Sequence, residues 1–600
     1  MLSKKLLSYY QNELSYLRKY GKRFSRHFPK VARRLGMSDG LSEDPHVERI
    51  IESFALVTAQ IQQRLDEDMP EVTEALLTVL APQFLRPYPS VCIVQMQPDK
   101  RISGLTTGCE VEAGTMLYTR QSEEHVCHFR TLYPVIMEPM TLEETSLRFD
   151  NSTLRWQLEL RLQVWPGAIL NSPSLRFYLN GSSLAVNILY TLINDEIEAF
   201  SLVCGEKHYL LSESDIQVVG FNRAESILEC DPRISPVYAL LQDYFYFPQK
   251  FHFIDFSLPA GLTVTSNEVM LFRLRFRQCA MVAMLDKIAC SVDRHFFRLH
   301  CTPAVNLFPM RAEPLVPHDD TAEYPVRPDI RHGDAIGIWS VNRVCATHKT
   351  GNEISTRDIA PLFGLSHSVT GGEQGTYWQC MQRETVDESG PANRLFIAFS
   401  DRGEKPLTPK NDLINIELTC YDRDIPSSIR NGNPEGDFES DLAVAGVTIT
   451  ALTRPTRTVS QPVKQASRWR LISHLSLNHM LISGDNGVQV LKETFALYNI
   501  NDNPAIQQLI GLIKHVVVTP VTARLVSNDP LSMARGVEIC VTFQSSAAEE
   551  PEYFLFCRFI EHFLSLYAPV NSFSQVVTCI EFHQESRRVW PVRSGRLSWI

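Results

Sequence analysis

His474 and His479 stand five residues apart in LISHLSLNH, and an imidazole pair is the first place to look for zinc chemistry. A helical zinc pair needs i, i+4 spacing, as in H-E-x-x-H, whereas i, i+5 splays the rings by about 140° at 3.6 residues per turn. No Glu base or third ligand accompanies them, so both are read as structural or surface histidines. The leucines and Trp469 of SRWRLISHLSLN read as a helix packing on the sheet that follows. His125, Cys127 and His128 are a second group. In a strand His125 and Cys127 face one side and His128 the other, so at most two of them share a metal, with Cys109 as a candidate third donor. Reduced cysteine in a β domain accounts for the same residues.

Asp422, Arg423 and Asp424 in LTCYDRDIP fit an acid/base pair, but a strand end with an internal Arg bridge is the commoner meaning of such a triplet. Asn431, Asn433, Glu435 and Gly436 open like a calcium loop. Position twelve is then Leu442, which has no carboxylate, and a solvated loop is expected. There is no G-x-S-x-G elbow, phosphate loop or G-x-G-x-x-G turn. Neither catalytic residues nor a metal or cofactor site are expected, and the chain is read as not an enzyme.

The elements that must carry these residues come next. Six hundred residues exceed what one hydrophobic core serves, so several compact units are expected. Fourteen cysteines without a C-x-x-C pair fit reduced, mostly buried thiols. The start, MLSKKLLSYYQNE, lacks the apolar centre of a signal peptide, and no run reaches the ~18 apolar residues of a membrane span, which predicts a cytoplasmic protein with no direct membrane insertion.

Net charge is only -10, but residues 1–35 hold ten Lys or Arg against Glu13, while residues 43–74 hold nine Asp or Glu against Arg49 and Arg64. Tyr9, Tyr10, Tyr16 and Tyr20 interleave with the basic residues in the manner of a nucleic-acid site, yet the acidic stretch neutralises it and no nucleic acid is expected. Leu7, Tyr10, Leu14, Leu17, Gly21, Phe24 and Phe28 fall on one narrow helical stripe. Beyond the turn-like GMSDG, Ser42, Asp44 and Pro45 are start signals for a second helix striped by Val47, Ile50, Phe54, Val57, Ile61 and Leu65. These stripes either pack on the rest of the chain or form a seam offered to helices of other chains. The bundle residues of the second reading are Leu7, Tyr10, Leu14, Leu17, Phe24, Phe28, Val47, Phe54 and Ile61.

From Val91 short apolar runs alternate with turn residues, predicting β-rich domains broken by one helix in VYALLQDYFYFPQKF. Residues 427–442 read as a polar loop and 453–467 as a linker, after which helical and strand patterns alternate. The expected fold is multidomain α+β: residues 1–90 a helical bundle segment, 91–330 and 331–455 two β-rich domains, and 456–600 an α+β domain.

Strings along the whole chain resemble the TssF family, also called VasA or ImpG, baseplate subunits of the bacterial type VI secretion system. They are ELSYLRKYGKRFSRHFPKVARRLGM, DPHVERIIESFALVTAQIQQRLDED, PEVTEALLTVLAPQFLRPYPS, AGTMLYTR, CHFRT, DYFYFPQKFHF, LHCTPAVNLF, LTCYDRDIP, WRLISHLSLN and FLSLYAPVNSF. The resemblance implies a structural wedge subunit in which two TssF copies wrap one TssG. It implies TssK and TssE as further partners around the VgrG hub, with sheath assembly starting there and the baseplate docked at the inner-membrane complex. It also favours the intersubunit reading of the stripes, although Gly21 interrupts the first. A metal-dependent hydrolase and a nucleic-acid-binding module are the alternatives.

Overall fold

The computed structural model describes residues 10, 14, 30, 37–38, 41–42, 46, 49, 52–59 and 76–78 of the first eighty. From residue 82 it describes all but 121–124, 171, 229–235, 263, 265–267, 319–320, 329–334, 351–352, 363–375, 388–389, 401–411, 443, 460–486, 500–502, 525–532, 566–567, 569–571 and 595–600. The chain divides into two units, Met1–Leu85 with Pro462–Ser476 and Arg86–Gln461 with Leu477–Ile600. In the first, Met37–Ser38 pairs antiparallel with Leu41–Ser42, a small ladder in the region expected to be turn-like. Residues 52–59 are helical there. Ala55 and Ala59 are fully buried, whereas Phe54 is 60% and Val57 52% exposed.

The second unit is mixed α+β and rich in strands. A closed barrel takes its strands in the order Cys301–Val305, Val91–Pro98, Val447–Ala451, Phe438–Glu439, Met116–Thr119 and His128–Thr131. Val91–Pro98 reads as a near-continuous apolar run because both of its faces are covered. Cys92, Val94 and Met96 pack with Leu117, Phe129 and Ala304, while Val91 and Ile93 belong to a separate cluster with Tyr133, Phe253 and Cys301. The first part of the expected linker lies along this strand: Thr456 Oγ1 and Thr453 Oγ1 accept hydrogen bonds from the Val91 and Ile93 N–H groups at 3.0 and 2.8 Å. Val447–Ala451 pairs with this strand only as far as Val94, and the threonines supply to Val91 and Ile93 what a longer partner strand would give, which is why a polar, Pro-containing stretch is held here.

A five-stranded antiparallel sheet, Lys207–Leu211, Ile197–Cys204, Val269–Phe276, Arg155–Val164 and Met140–Asp150, faces a four-stranded one, Ile216–Val218, Phe253–Ser257, Ser174–Leu179 and Phe297–Arg298. Strict alternation in RWQLELRLQV buries Trp156, Leu158, Leu160, Leu162 and Val164. Between the sheets Phe177 and Phe256 meet Phe272 and Phe200, with ring centroids 5.2–6.4 Å apart. A seven-stranded sheet follows, with Leu413–Tyr421 between Phe308–Arg311 and Gly337–Thr350.

In the carboxy-terminal part Met533–Phe543 runs parallel to Phe573–Ile580, a pairing that requires a crossover, which helix Tyr553–Ser565 provides. The expected helix in VYALLQDYFYFPQKF spans Pro236–Tyr246. Its Tyr244 stacks on Phe559 of the crossover helix at 4.2 Å between centroids. No helix among the described residues is long and apolar enough to cross a membrane.

Candidate functional site: buried polar nodes and an exposed helix face

Strand Leu413–Tyr421 buries every second residue, Ile414, Ile416, Leu418 and Cys420, and the same alternation carries Asp422 inward just past its end. The carboxylate is fully buried. Its Oδ2 accepts from the His128 backbone N–H at 2.9 Å and from Asn306 Nδ2 at 2.7 Å, and its Oδ1 meets His125 Nε2 at 2.8 Å. Asn306 closes the ring from the other side: its Oδ1 accepts from the Asp422 N–H at 2.7 Å, and its Nδ2 also donates to the His128 carbonyl. Hydrogen bonds to a charged group contribute about 1.5–3 kcal/mol each, which offsets the several kcal/mol that desolvating a carboxylate costs.

Two readings of these residues are corrected by this geometry. Strand alternation was expected to turn His128 away from His125, but the strand begins only at His128. The preceding residues are not extended in a ladder, so both histidines reach Asp422. The Asp422, Arg423, Asp424 triplet was expected to be bridged internally by arginine. Asp422 instead takes His125, His128 and Asn306 as partners.

Burial first, and the Asp422 charge second, push the Cys127 thiol up to about 12. Such a thiol stays protonated and is no nucleophile. Burial lowers the His128 imidazole more than Asp422 raises it. Its Nδ1 is buried without a hydrogen-bond partner, 3.9 Å from Asp422 Oδ2. Donor atoms of His125, Cys127 and Asp422 lie within 4.8 Å of one another. Cys109 sits on a separate two-stranded ladder with Val135–Met137.

A second node joins helix Pro236–Tyr246 to the short helical turn Pro248–Phe251 that follows it. Lys250 Nζ pairs with Asp243 Oδ2, both groups being essentially inaccessible. Ser226 Oγ and the Ile227 N–H donate to the same oxygen at 3.2 Å, and the Tyr88 hydroxyl to Oδ1 at 3.3 Å. Burial, followed by the Asp243 charge, pushes the Tyr88 phenol well up.

The loop 427–442, expected to be solvated, is also organised around a buried carboxylate. Asp437 accepts from the Gly432, Asn433 and Ala451 N–H groups at 2.8–3.0 Å, and Phe438 after it enters the barrel. Asn306, Asp243, Lys250 and Asp437 escape a search for catalytic signatures. The signal that marks two of them is a polar residue set among apolar or aromatic ones, Asn306 in AVNLF and Lys250 in FPQKFHF. None of these nodes has the exposed nucleophile, base and oxyanion donors that hydrolysis requires.

Of the residues expected to meet other subunits, Tyr10 and Leu14 are half-buried and Phe54 is largely exposed. Leu7, Leu17, Phe24, Phe28, Val47 and Ile61 lie outside the described residues, as do His474 and His479. Within residues 52–59 the alanines are the covered face. Phe54 and Val57, three apart and so on one side of the helix, are largely exposed.

A family model described as "Type VI secretion system, TssF" matches residues 2–597. The "Type VI secretion system component TssF1" of Pseudomonas aeruginosa is 29% identical over 627 aligned residues, covering 99% of each chain. Among solved structures, a chain of the type VI secretion system TssK-TssF-TssG baseplate subcomplex is similar with a TM-score of 0.71 at 23% identity, covering 92% of this chain and 100% of that one. A chain of the baseplate complex from the type VI secretion system is similar with a TM-score of 0.58 at 21% identity, covering 98% and 99%.

Proposed function

Because the chain belongs to the TssF family of type VI secretion system components, we propose that it is a structural wedge subunit of the baseplate, two copies pairing with one TssG. The observation that carries this reading is the exposed apolar face at Phe54 and Val57. Burying each of these side chains contributes about 1.5–3 kcal/mol, so a few of them on two helices offset much of the entropy of association. Support for the partners comes from the TssK-TssF-TssG subcomplex, in which a chain of similar fold sits. In this reading TssK and TssE attach to the wedge, six wedges surround the VgrG hub, and the sheath grows from the assembled baseplate. The site of action is cytoplasmic, at the inner-membrane complex.

Residues 1–90 form the part shared with other subunits, 91–330 and 331–455 the β-rich body, and 456–600 the α+β part. The family is one of structural components, which sets the hydrolase alternative aside. In a co-purification experiment, Leu14→Asp combined with Leu17→Asp abolishes capture of a TssG partner while the circular dichroism of the β-rich body is retained. Undiminished capture by this variant contradicts the shared bundle.

A further inference from the structure

We propose that His125, Cys127 and Asp422 are ligands of a structural Zn²⁺ ion that ties the mouth of the barrel to the end of the neighbouring sheet. Imidazole nitrogen, thiolate sulfur and carboxylate oxygen are the donors zinc takes, and here they come within 4.8 Å of one another from positions about three hundred residues apart in the chain. Asp422 and Cys127 are fully buried and the His125 side chain is 13% exposed.

Charge is the strongest argument. Among the described residues Asp422 has no lysine or arginine within ion-pair distance. Its only cationic candidates are the two imidazoles. Hydrogen bonds offset the desolvation of this carboxylate only in part, and a divalent cation supplies the compensating positive charge that no lysine or arginine brings. The two oxygens are also used unequally. Oδ2 takes two donors, the His128 N–H and Asn306 Nδ2, which fix the plane of the carboxylate, whereas Oδ1 faces His125 Nε2. That is how a metal-binding carboxylate is held: one oxygen anchored by hydrogen bonds, the other turned to the ion.

The 2.8 Å separation of Nε2 and Oδ1 is a proton-bridged distance. Two ligands on a tetrahedral zinc with bonds of ~2.0 Å stand about 3.3 Å apart. Opening by roughly half an ångström, with a proton exchanged for the ion, is within reach of two side chains. His128 Nδ1, buried and without a hydrogen-bond partner 3.9 Å from Oδ2, is the nearest fourth donor. With four protein donors no position remains open for a reactive water, and the role is structural. On binding, the Cys127 thiol gives up its proton to solvent and becomes the thiolate ligand.

The test is metal analysis of the full-length chain, purified with a histidine-free tag and without chelators. About one equivalent of zinc per chain is expected. His125→Ala and Cys127→Ala are each expected to lower zinc affinity at least ~10-fold while retaining the circular dichroism of the parent. Added to metal-stripped chain, Co²⁺ alone should give a sulfur-to-cobalt charge-transfer band that Cys127→Ala removes. A parent chain that neither carries zinc nor binds it on titration overturns the proposal, whatever the variants do. So does zinc content unchanged in both variants.

Discussion

Replacing Lys250 by Met leaves the Asp243 carboxylate buried without its counter-charge, an arrangement that costs about 3–5 kcal/mol. Thermal unfolding of Lys250→Met should therefore begin well below that of the parent. Lys250→Met combined with Asp243→Asn removes the charge and keeps one carbonyl oxygen to accept from Ser226 and Ile227, with the amide NH2 turned to the Tyr88 hydroxyl as acceptor, and should recover much of the loss; a double variant as weak as the single one contradicts the charge argument. Acid acts through other buried groups. Burial pushes His252 and His300 down to about 4, below the ordinary 6.5. The unfolded chain thus takes up protons first, and stability present above pH 6.5 is lost as pH falls toward 4, by up to roughly 3 kcal/mol per histidine. His128 is lowered in the same direction. Glu138, beside His300, is raised by burial and offsets part of this. His300 Nε2 accepts a hydrogen bond from the Glu138 N–H at 3.0 Å, an acceptor that protonation removes. Its backbone φ is 57°, which asparagine tolerates. His300→Asn is therefore expected to flatten the decline of the melting temperature between pH 6.5 and 4.5, and an unaltered slope would count against a role for His300.

At the scale of elements, period-two and period-3.6 patterns identify what is covered on one side. RWQLELRLQV is legible because it has one face in the core, and the crossover helix YFLFCRFIEHFLS because its length and nearly continuous apolar residues suit a helix covered on most sides. Legibility fails where pairing is non-local. Nothing around CHFRT announces that Asp422, nearly three hundred residues on, completes its node. Phe438–Glu439 is a two-residue strand hidden in a polar loop, and Thr453 and Thr456 bind a linker-like segment to the start of a barrel strand. The resembling strings do converge, though: CHFRT, LHCTPAVNLF and LTCYDRDIP meet at Asp422, and FLRPYPS and DYFYFPQKFHF meet at Asp243. Their residue types record buried hydrogen-bond partners and not catalysis. The stacking of Tyr244 on Phe559, with Phe495 5.6 Å from the same ring, holds the carboxy-terminal helices to helix Pro236–Tyr246. Phe559→Ala should cost about 3–5 kcal/mol and expose residues 487–594 to limited proteolysis. Resistance equal to the parent's would show that this stack is not the fastening.

At the scale of the whole molecule, the buried carboxylates of Asp422, Asp243 and Asp437 are held by hydrogen bonds from the same chain, while Phe54 and Val57 are 60% and 52% exposed. In the proposed function this chain of 68.3 kDa is a part made for assembly that offers Phe54 and Val57 to partners. The claim is most directly tested by native mass spectrometry of the chain co-expressed with a TssG partner, parent against Phe54→Asp combined with Val57→Asp. The account predicts a complex of two copies with one TssG for the parent, and free 68.3 kDa chain for the variant. A variant that assembles as fully as the parent, or a parent that stays single in the presence of TssG, would contradict it.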